Sequence, residues 1–163
     1  MLFVKKWYDW IKLTLASAFG LGLAPVAPGS FGALLGVAMH LAVAQWIPEW
    51  RFCALTVCFL MVCVTHFLLT PWAQKYWHTS DPSHFVLDEV AGYLVVPLVV
   101  WEGPLWLIAT ASFFMFRIFD IIKLPIARYI DRNWHGAWGV LLDDIVSGLY
   151  ASAVVWGLVL WHG

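Results

Sequence analysis

The sequence predicts an all-α integral membrane protein, with four to five membrane-embedded helices and an interfacial helix at the N-terminus. Of its 163 residues, 63% are apolar and only 12% are charged, whereas soluble domains have roughly 45–50% and about 25%. A chain of this length encloses one ordinary core, so most of the apolar surface needs lipid around it. The net charge of −1 argues against a nucleic-acid-binding module. We expect a single membrane-embedded domain over residues 1–163, without an obligate protein partner.

The elements follow from hydropathy and from helix-breaking residues. Basic and aromatic side chains alternate over residues 5–12, which indicates a helix at the lipid headgroups. Residues 52–74 and 145–163 carry no formal charge over 23 and 19 residues, enough for a span. Residues 20–29 are rich in Gly and Pro and cannot continue a helix. The predicted membrane segments are 31–47, 52–72, 90–101, 103–116 and 145–161.

Residues 90–116 leave two interpretations open. The stretch Trp101-Glu-Gly-Pro104 is typical of a turn and separates two segments that are both short for a hydrocarbon core of about 30 Å. They form either a helical hairpin that does not fully cross or two spans that extend into their polar flanks.

The basic residues predict the orientation. Eight of the nine Lys and Arg residues lie on one predicted side of the membrane, and Arg51 lies on the other. Because cytoplasmic flanks are enriched in Lys and Arg, that side is expected to be cytoplasmic. The eight residues are Lys5, Lys6, Lys12, Lys75, Arg117, Lys123, Arg128 and Arg132.

Two acidic pairs border apolar helices on this side. Asp88 and Glu89 directly precede an apolar run, and Asp143 and Asp144 are bracketed by apolar residues. Buried carboxylates need a neutralising partner, and hard oxygen ligands suit Mg²⁺. The alternatives are a solvated loop end for the first pair and a solvated helix N-terminus for the second.

A basic pair and a Gly/Pro loop complete the candidates. Arg117, Asp120 and Lys123 share a helix face by their spacing, so Asp120 could hold both cations, which suit phosphate oxygens; the alternative is that the cations extend to lipid headgroups. In the loop of residues 25–32, Ser30 is a candidate N-cap, and the free N–H groups after Gly29 could bind an anion; the alternative is an ordinary hinge. Together these residues indicate phosphoryl chemistry on a lipid headgroup.

Five blocks of the sequence, in order, resemble the phosphatidylglycerophosphatase A family over about residues 12–155. They are Ala27-Pro-Gly-Ser-Phe-Gly32, Leu87-Asp-Glu-Val-Ala-Gly92, Phe116-Arg-Ile-Phe-Asp-Ile-Ile-Lys123, Asp131-Arg132 and His135-Gly-Ala-Trp-Gly-Val-Leu-Leu-Asp-Asp-Ile-Val-Ser-Gly148. The resemblance implies a Mg²⁺-dependent hydrolase of phospholipid metabolism in the bacterial inner membrane. Such an enzyme converts phosphatidylglycerophosphate to phosphatidylglycerol.

The residues and the resemblance together yield a site hypothesis. Mg²⁺ is expected on the catalytic carboxylates of both acidic pairs (Asp88, Glu89, Asp143 and Asp144), with the choice between base and ligand left open, and a metal-activated water is expected to attack. The expected phosphate-binding residues are Arg117, Lys123, Ser30, Gly29 and Asp120. The expected partners are the lipid substrate and the bilayer. The alternative is a lipid-binding or transport membrane protein without catalysis.

Overall fold

The computed structural model describes residues 2–162, with side chains from residue 7 onward. The side chains of Lys5 and Lys6, predicted to lie at the headgroups, are outside the described residues. Within residues 2–162 the structure contains α-helices, two short 3₁₀ turns (Leu21–Leu23 and Pro48–Trp50) and no strand. The α-helices are α1 (Leu2–Ala16), α2 (Pro28–Trp46), α3 (Arg51–Trp77), α4 (Leu87–Val99), α5 (Leu105–Ile122), α6 (Pro125–Asn133) and α7 (Ala137–His162).

Four helical segments are long and apolar enough to cross a membrane. They are Pro28–Trp46, Pro48–Trp77, Leu105–Ile122 and Ala137–His162. The all-α membrane fold is therefore confirmed, although the boundaries differ from those predicted. The last helix begins eight residues before the predicted span at 145, because its acidic residues lie within the helix rather than before it.

Helix α4 resolves the two interpretations of residues 90–116. Its 13 residues extend about 20 Å at 1.5 Å per residue, which is too short for the hydrocarbon core. It contacts α2, α3, α5 and α7, and its Val90, Tyr93, Leu94 and Val96 side chains are fully buried. The short segment is thus a core helix inside the bundle, while α5 is long enough to cross alone.

Two glycines bring α4 and α7 into backbone contact. A Cβ on Gly92 would clash with the Phe116 ring and lie 2.9 Å from the carbonyl oxygen of Asp144. A Cβ on Gly148 would clash with the carbonyl oxygen of Gly92. Small residues allow such close approach between membrane helices. Asp88 lies four residues before Gly92, and Asp144 lies four residues before Gly148. The two acids are therefore brought together about one helical turn from the contact between the glycines.

All the helix ends that carry the candidate residues lie at one end of the bundle. Helices α2, α4 and α7 begin there, and α3 and α5 end there; we call it the polar end. Helix α6 packs against α7 at this end. Helix α1 packs against α3, where the indole N–H of Trp72 donates a hydrogen bond of 3.1 Å to Asp9 and the Lys12 ammonium lies 6.0 Å from the Trp72 ring centre.

Candidate active site

A cavity of about 350 Å³ opens at the polar end. Seven carboxylates line it, but only two permanent cations do, so its formal charge is strongly negative. The carboxylates belong to Asp81, Asp88, Glu89, Asp120, Asp131, Asp143 and Asp144, and the cations to Arg117 and Lys123. Such an excess of negative charge in a partly buried cavity is unfavourable unless a cation joins it.

Three of the carboxylates form a group that we call the acidic cluster. Asp88, Glu89 and Asp144 each offer one oxygen, and these oxygens all lie within 4.8 Å of one another. Asp88 and Asp144 are buried and Glu89 is half-buried. Within the described residues, Asp88 Oδ1 and Glu89 Oε2 are buried without a hydrogen-bond partner. Because buried polar atoms are normally paired, the geometry and chemistry of this cluster fit a divalent cation.

The fourth predicted metal ligand, Asp143, lies outside the acidic cluster. Its Oδ2 accepts a hydrogen bond of 2.5 Å from the Lys123 ammonium instead. Successive residues of a helix point about 100° apart, and here Asp143 and Asp144 face different neighbours. Asp144 faces α4, and its neighbour faces the end of α5. All four predicted acids line one cavity, and three of them form the close group whose oxygens could hold one ion; the assignment of the metal ligands stays a prediction.

Arg117 bridges the cluster and the start of α2. Its Nη1 donates to Asp120 Oδ2 at 2.5 Å and lies 3.8 Å from Glu89 Oε1. A Cβ on Gly29 would clash with Glu89 and lie 2.8 Å from Arg117 Nη1. Glycine at this position therefore leaves the room in which the guanidinium and the carboxylate meet. Two predicted phosphate-binding residues, Gly29 and Arg117, thus line one wall of the cavity.

Asp120 holds one of the two cations, not both. It pairs with Arg117, whereas the Lys123 ammonium donates to Asp131 Oδ1 at 2.6 Å and to Asp143. The predicted shared face fails because α5 ends at Ile122 and Lys123 adopts a left-handed conformation with φ 49°. Burial acts to lower the pKa of Lys123, but its two carboxylate partners outweigh burial and raise the pKa above its ordinary value.

Ser30 does not cap α2. The helix begins at Pro28, with Ala27 as the N-cap residue, because the fixed φ of proline suits the first helical position. Ser30 is third in the helix, and its N–H already donates to the Ala27 carbonyl at 2.9 Å. Gly29 lines the cavity but Ser30 does not. The predicted contribution of the Ser30 hydroxyl to anion binding is therefore not supported by its position.

The sequence hypothesis omitted several residues of the site. Asp81, Asp131 and His135 line the cavity, and the two helix-contact glycines were quoted only as parts of longer blocks. One signal could have identified the glycines: each acidic pair contains an aspartate with a glycine four residues later, at 88–92 and at 144–148. No comparable local signal identifies Asp131, because its partner Lys123 lies on another element.

Comparisons with known proteins identify the family of this chain. The family model described as phosphatidylglycerophosphatase A matches residues 14–159. Phosphatidylglycerophosphatase A of Haemophilus influenzae is 32% identical over 152 residues, covering 90% of this chain and 88% of the relative. Phosphatidylglycerophosphatase A of Escherichia coli is 32% identical over 142 residues, covering 87% and 80% respectively.

A third relative has a different name. A protein of Bacteroides thetaiotaomicron, named provisionally as a phosphatidylinositol-3-phosphatase, is 31% identical over 154 residues, covering 90% of this chain and 92% of the relative. No solved structure matches the chain. The family match extends over all the elements that line the cavity, from the start of α2 to α7. The chain therefore belongs to the phosphatidylglycerophosphatase A family and is a phosphatase enzyme.

Proposed function

We propose that the protein hydrolyses phosphatidylglycerophosphate to phosphatidylglycerol and phosphate, that it requires Mg²⁺, and that it acts at the cytoplasmic face of the bacterial inner membrane. The observation that carries this proposal is the cavity at the polar end, which combines a carboxylate cluster with Arg117 and Lys123. Oxygen ligands for a divalent cation beside two cations that suit phosphate oxygens are the groups that metal-assisted hydrolysis of a phosphate ester uses.

Asp88, Glu89 and Asp144 would hold the Mg²⁺ ion. Mg²⁺ prefers oxygen ligands and retains several waters, so two or three carboxylates are sufficient. When bound, it supplies a Lewis acid that acidifies water and offsets negative charge on the phosphate. The two partnerless buried oxygens in this cluster support the assignment.

The two cations would bind the substrate phosphate. The Arg117 guanidinium is held by Asp120 and matches phosphate oxygens with its planar fork. The Lys123 ammonium would bind a further oxygen, and a carboxylate of the acidic cluster, on Asp88 or Asp144, would accept the proton of the attacking water. As the water oxygen bonds to phosphorus, the bond between phosphorus and the glycerol oxygen breaks, and that oxygen takes up a proton to leave as the hydroxyl group of phosphatidylglycerol. The diacyl part of the substrate stays in the bilayer beside the apolar helices.

A phosphate-release assay on two lipids tests the activity. The family description and two relatives favour phosphatidylglycerophosphate, whereas the name of the Bacteroides thetaiotaomicron protein favours phosphatidylinositol 3-phosphate. For the detergent-purified protein we expect faster release from phosphatidylglycerophosphate, abolished by EDTA and restored by Mg²⁺. Faster release from phosphatidylinositol 3-phosphate would reassign the substrate. Full activity in EDTA would exclude the metal.

Cysteine labelling in intact cells tests the location. Cys53, Cys58 and Cys63 are first replaced by serine, so that only an introduced cysteine reacts. Asn133→Cys, on α6 at the polar end, should resist a membrane-impermeant maleimide until the cells are opened. Glu102→Cys, in the exposed turn before α5, should react at once. The reverse pattern would place the cavity on the outer face and remove the cytoplasmic assignment.

A further inference from the structure

Two residues of helix α6, Arg128 and Asp131, form hydrogen bonds around the cavity residue Lys123. Arg128 Nε donates to the carbonyl oxygen of Lys123 at 3.1 Å, and Arg128 Nη2 donates to that of Ile122 at 3.0 Å. Asp131, three residues further along α6, accepts a hydrogen bond of 2.6 Å from the Lys123 ammonium. Residues three apart share a helix face. One face of α6 therefore holds both the backbone and the side chain of Lys123.

The backbone of Lys123 needs such support. Its φ of 49° is in the left-handed region, which is costly for a residue with a Cβ. It also ends α5, where the last carbonyl groups have no partner within the helix. The Arg128 guanidinium supplies donors to two of these carbonyls, and its positive charge suits the negative end of the helix dipole.

The side chain of Lys123 is held between two helices. Its ammonium carries three N–H donors, and Asp131 on α6 and Asp143 on α7 accept two of them. This arrangement leaves one donor for a ligand in the cavity that Lys123 lines. Without Asp131, the flexible four-carbon stem would be anchored at its tip by Asp143 alone.

We propose that Arg128 and Asp131 are positioning residues that hold the Lys123 ammonium where the substrate phosphate binds. The inference rests on the proposed function and adds two residues, on an element that the catalytic hypothesis did not use. Arg128 acts through the backbone of Lys123, and Asp131 acts through its ammonium. Neither residue needs to touch the substrate.

Inorganic phosphate is the probe that tests this role, by titration calorimetry of the detergent-purified protein with Mg²⁺ present. Arg128→Gln and Asp131→Asn should each weaken phosphate binding about 10-fold or more, as expected for a lost hydrogen bond to a charged group. The KM for the lipid should rise in parallel, while kcat changes less. Asp131→Glu, which keeps the carboxylate, should restore most of the binding.

A matched control separates positioning from loss of charge. Arg132→Gln removes the same charge one turn further along α6, at an exposed side chain for which the described part of the chain shows no ion pair. We expect wild-type phosphate binding and KM from this variant. If Arg132→Gln weakens phosphate binding as much as Arg128→Gln does, a general charge effect explains the data and the proposal is wrong.

A double-mutant cycle with Lys123→Gln provides the decisive measurement. If Asp131 acts through Lys123, Asp131→Asn adds little once Lys123 is gone. Equal effects of Asp131→Asn in both backgrounds would overturn the proposal, as would wild-type binding by the single variants. The proposal would also be overturned if the unfolding temperature of the single variants showed that they bind phosphate weakly because they are partly unfolded during the titration. Phosphate binding does not depend on turnover, so an inactive wild-type protein would refute the proposed function separately.

Discussion

The two acidic pairs of this protein both consist of adjacent acids at an apolar helix, but their surroundings differ. In Asp88–Glu89, both carboxylates belong to the acidic cluster, and Glu89 also lies 3.8 Å from Arg117. In Asp143–Asp144, only Asp144 joins the cluster, while Asp143 pairs with Lys123. The first pair lies in the first turn of α4, and the second lies about two turns inside α7. Adjacent acids in a sequence are therefore not equivalent candidates for one metal ion.

The physical reason lies in side-chain direction and length. Neighbouring side chains on a helix diverge by about 100°, so one member of a pair normally faces a different element. The extra methylene of Glu89 lets its carboxylate return to the cluster, whereas the shorter Asp143 reaches the end of α5. The comparison predicts unequal effects within the second pair and similar effects for Asp88 and Asp144.

The largest effect is expected from the two buried members of the acidic cluster. Asp88→Asn and Asp144→Asn should each lower kcat/KM by about 10²–10⁴-fold, because each removes a metal ligand or the proton acceptor. Phosphate release from phosphatidylglycerophosphate over a range of Mg²⁺ concentrations measures this. Near-normal turnover in either variant, with unchanged Mg²⁺ dependence, would show that the metal site is elsewhere.

The next effect concerns the helix contact that brings the two pairs together. Gly148→Ala should destabilise the protein by about 1–3 kcal/mol, since overpacking forces a close contact apart, and it should lower kcat by separating Asp88 from Asp144. Thermal unfolding in detergent and the phosphate-release assay measure the two effects. Gly157→Ala, on the same helix with open space around the position, is the matched control and should be neutral or slightly stabilising.

The smallest effect is expected from Asp143, the member of the second acidic pair that lies outside the acidic cluster. Asp143→Asn should raise the KM for the lipid about 10-fold, because Lys123 loses one of its two partners. The kcat and the Mg²⁺ concentration for half-maximal activity should change little. Steady-state kinetics at several Mg²⁺ concentrations distinguish this outcome from the alternative: a loss as severe as that of Asp144→Asn would return Asp143 to the metal site.

The sequence alone determined the membrane fold and most of the charged residues of the cavity. Long apolar runs and helix-breaking residues are local properties of the chain, so four spanning helices and the turn before α5 could be predicted from hydropathy and turn chemistry. The placement of nearly all basic residues on one predicted side, together with both acidic pairs, likewise singled out the end of the bundle that carries the cavity. The resemblance to the family depended on the same blocks.

Only the tertiary structure decided which of these residues lie together and which partner each of them has. Whether Asp143 or Asp144 meets Asp88 depends on the rotation of α7 about its axis, which the contact between Gly92 and Gly148 sets. The partners of Lys123 depend on where α5 ends and on how α6 packs, which no local pattern encodes. The short α4 lies at the centre of the bundle because four other helices cover it. Contacts between elements distant in sequence determine these features, and hydropathy along the chain carries no information about them.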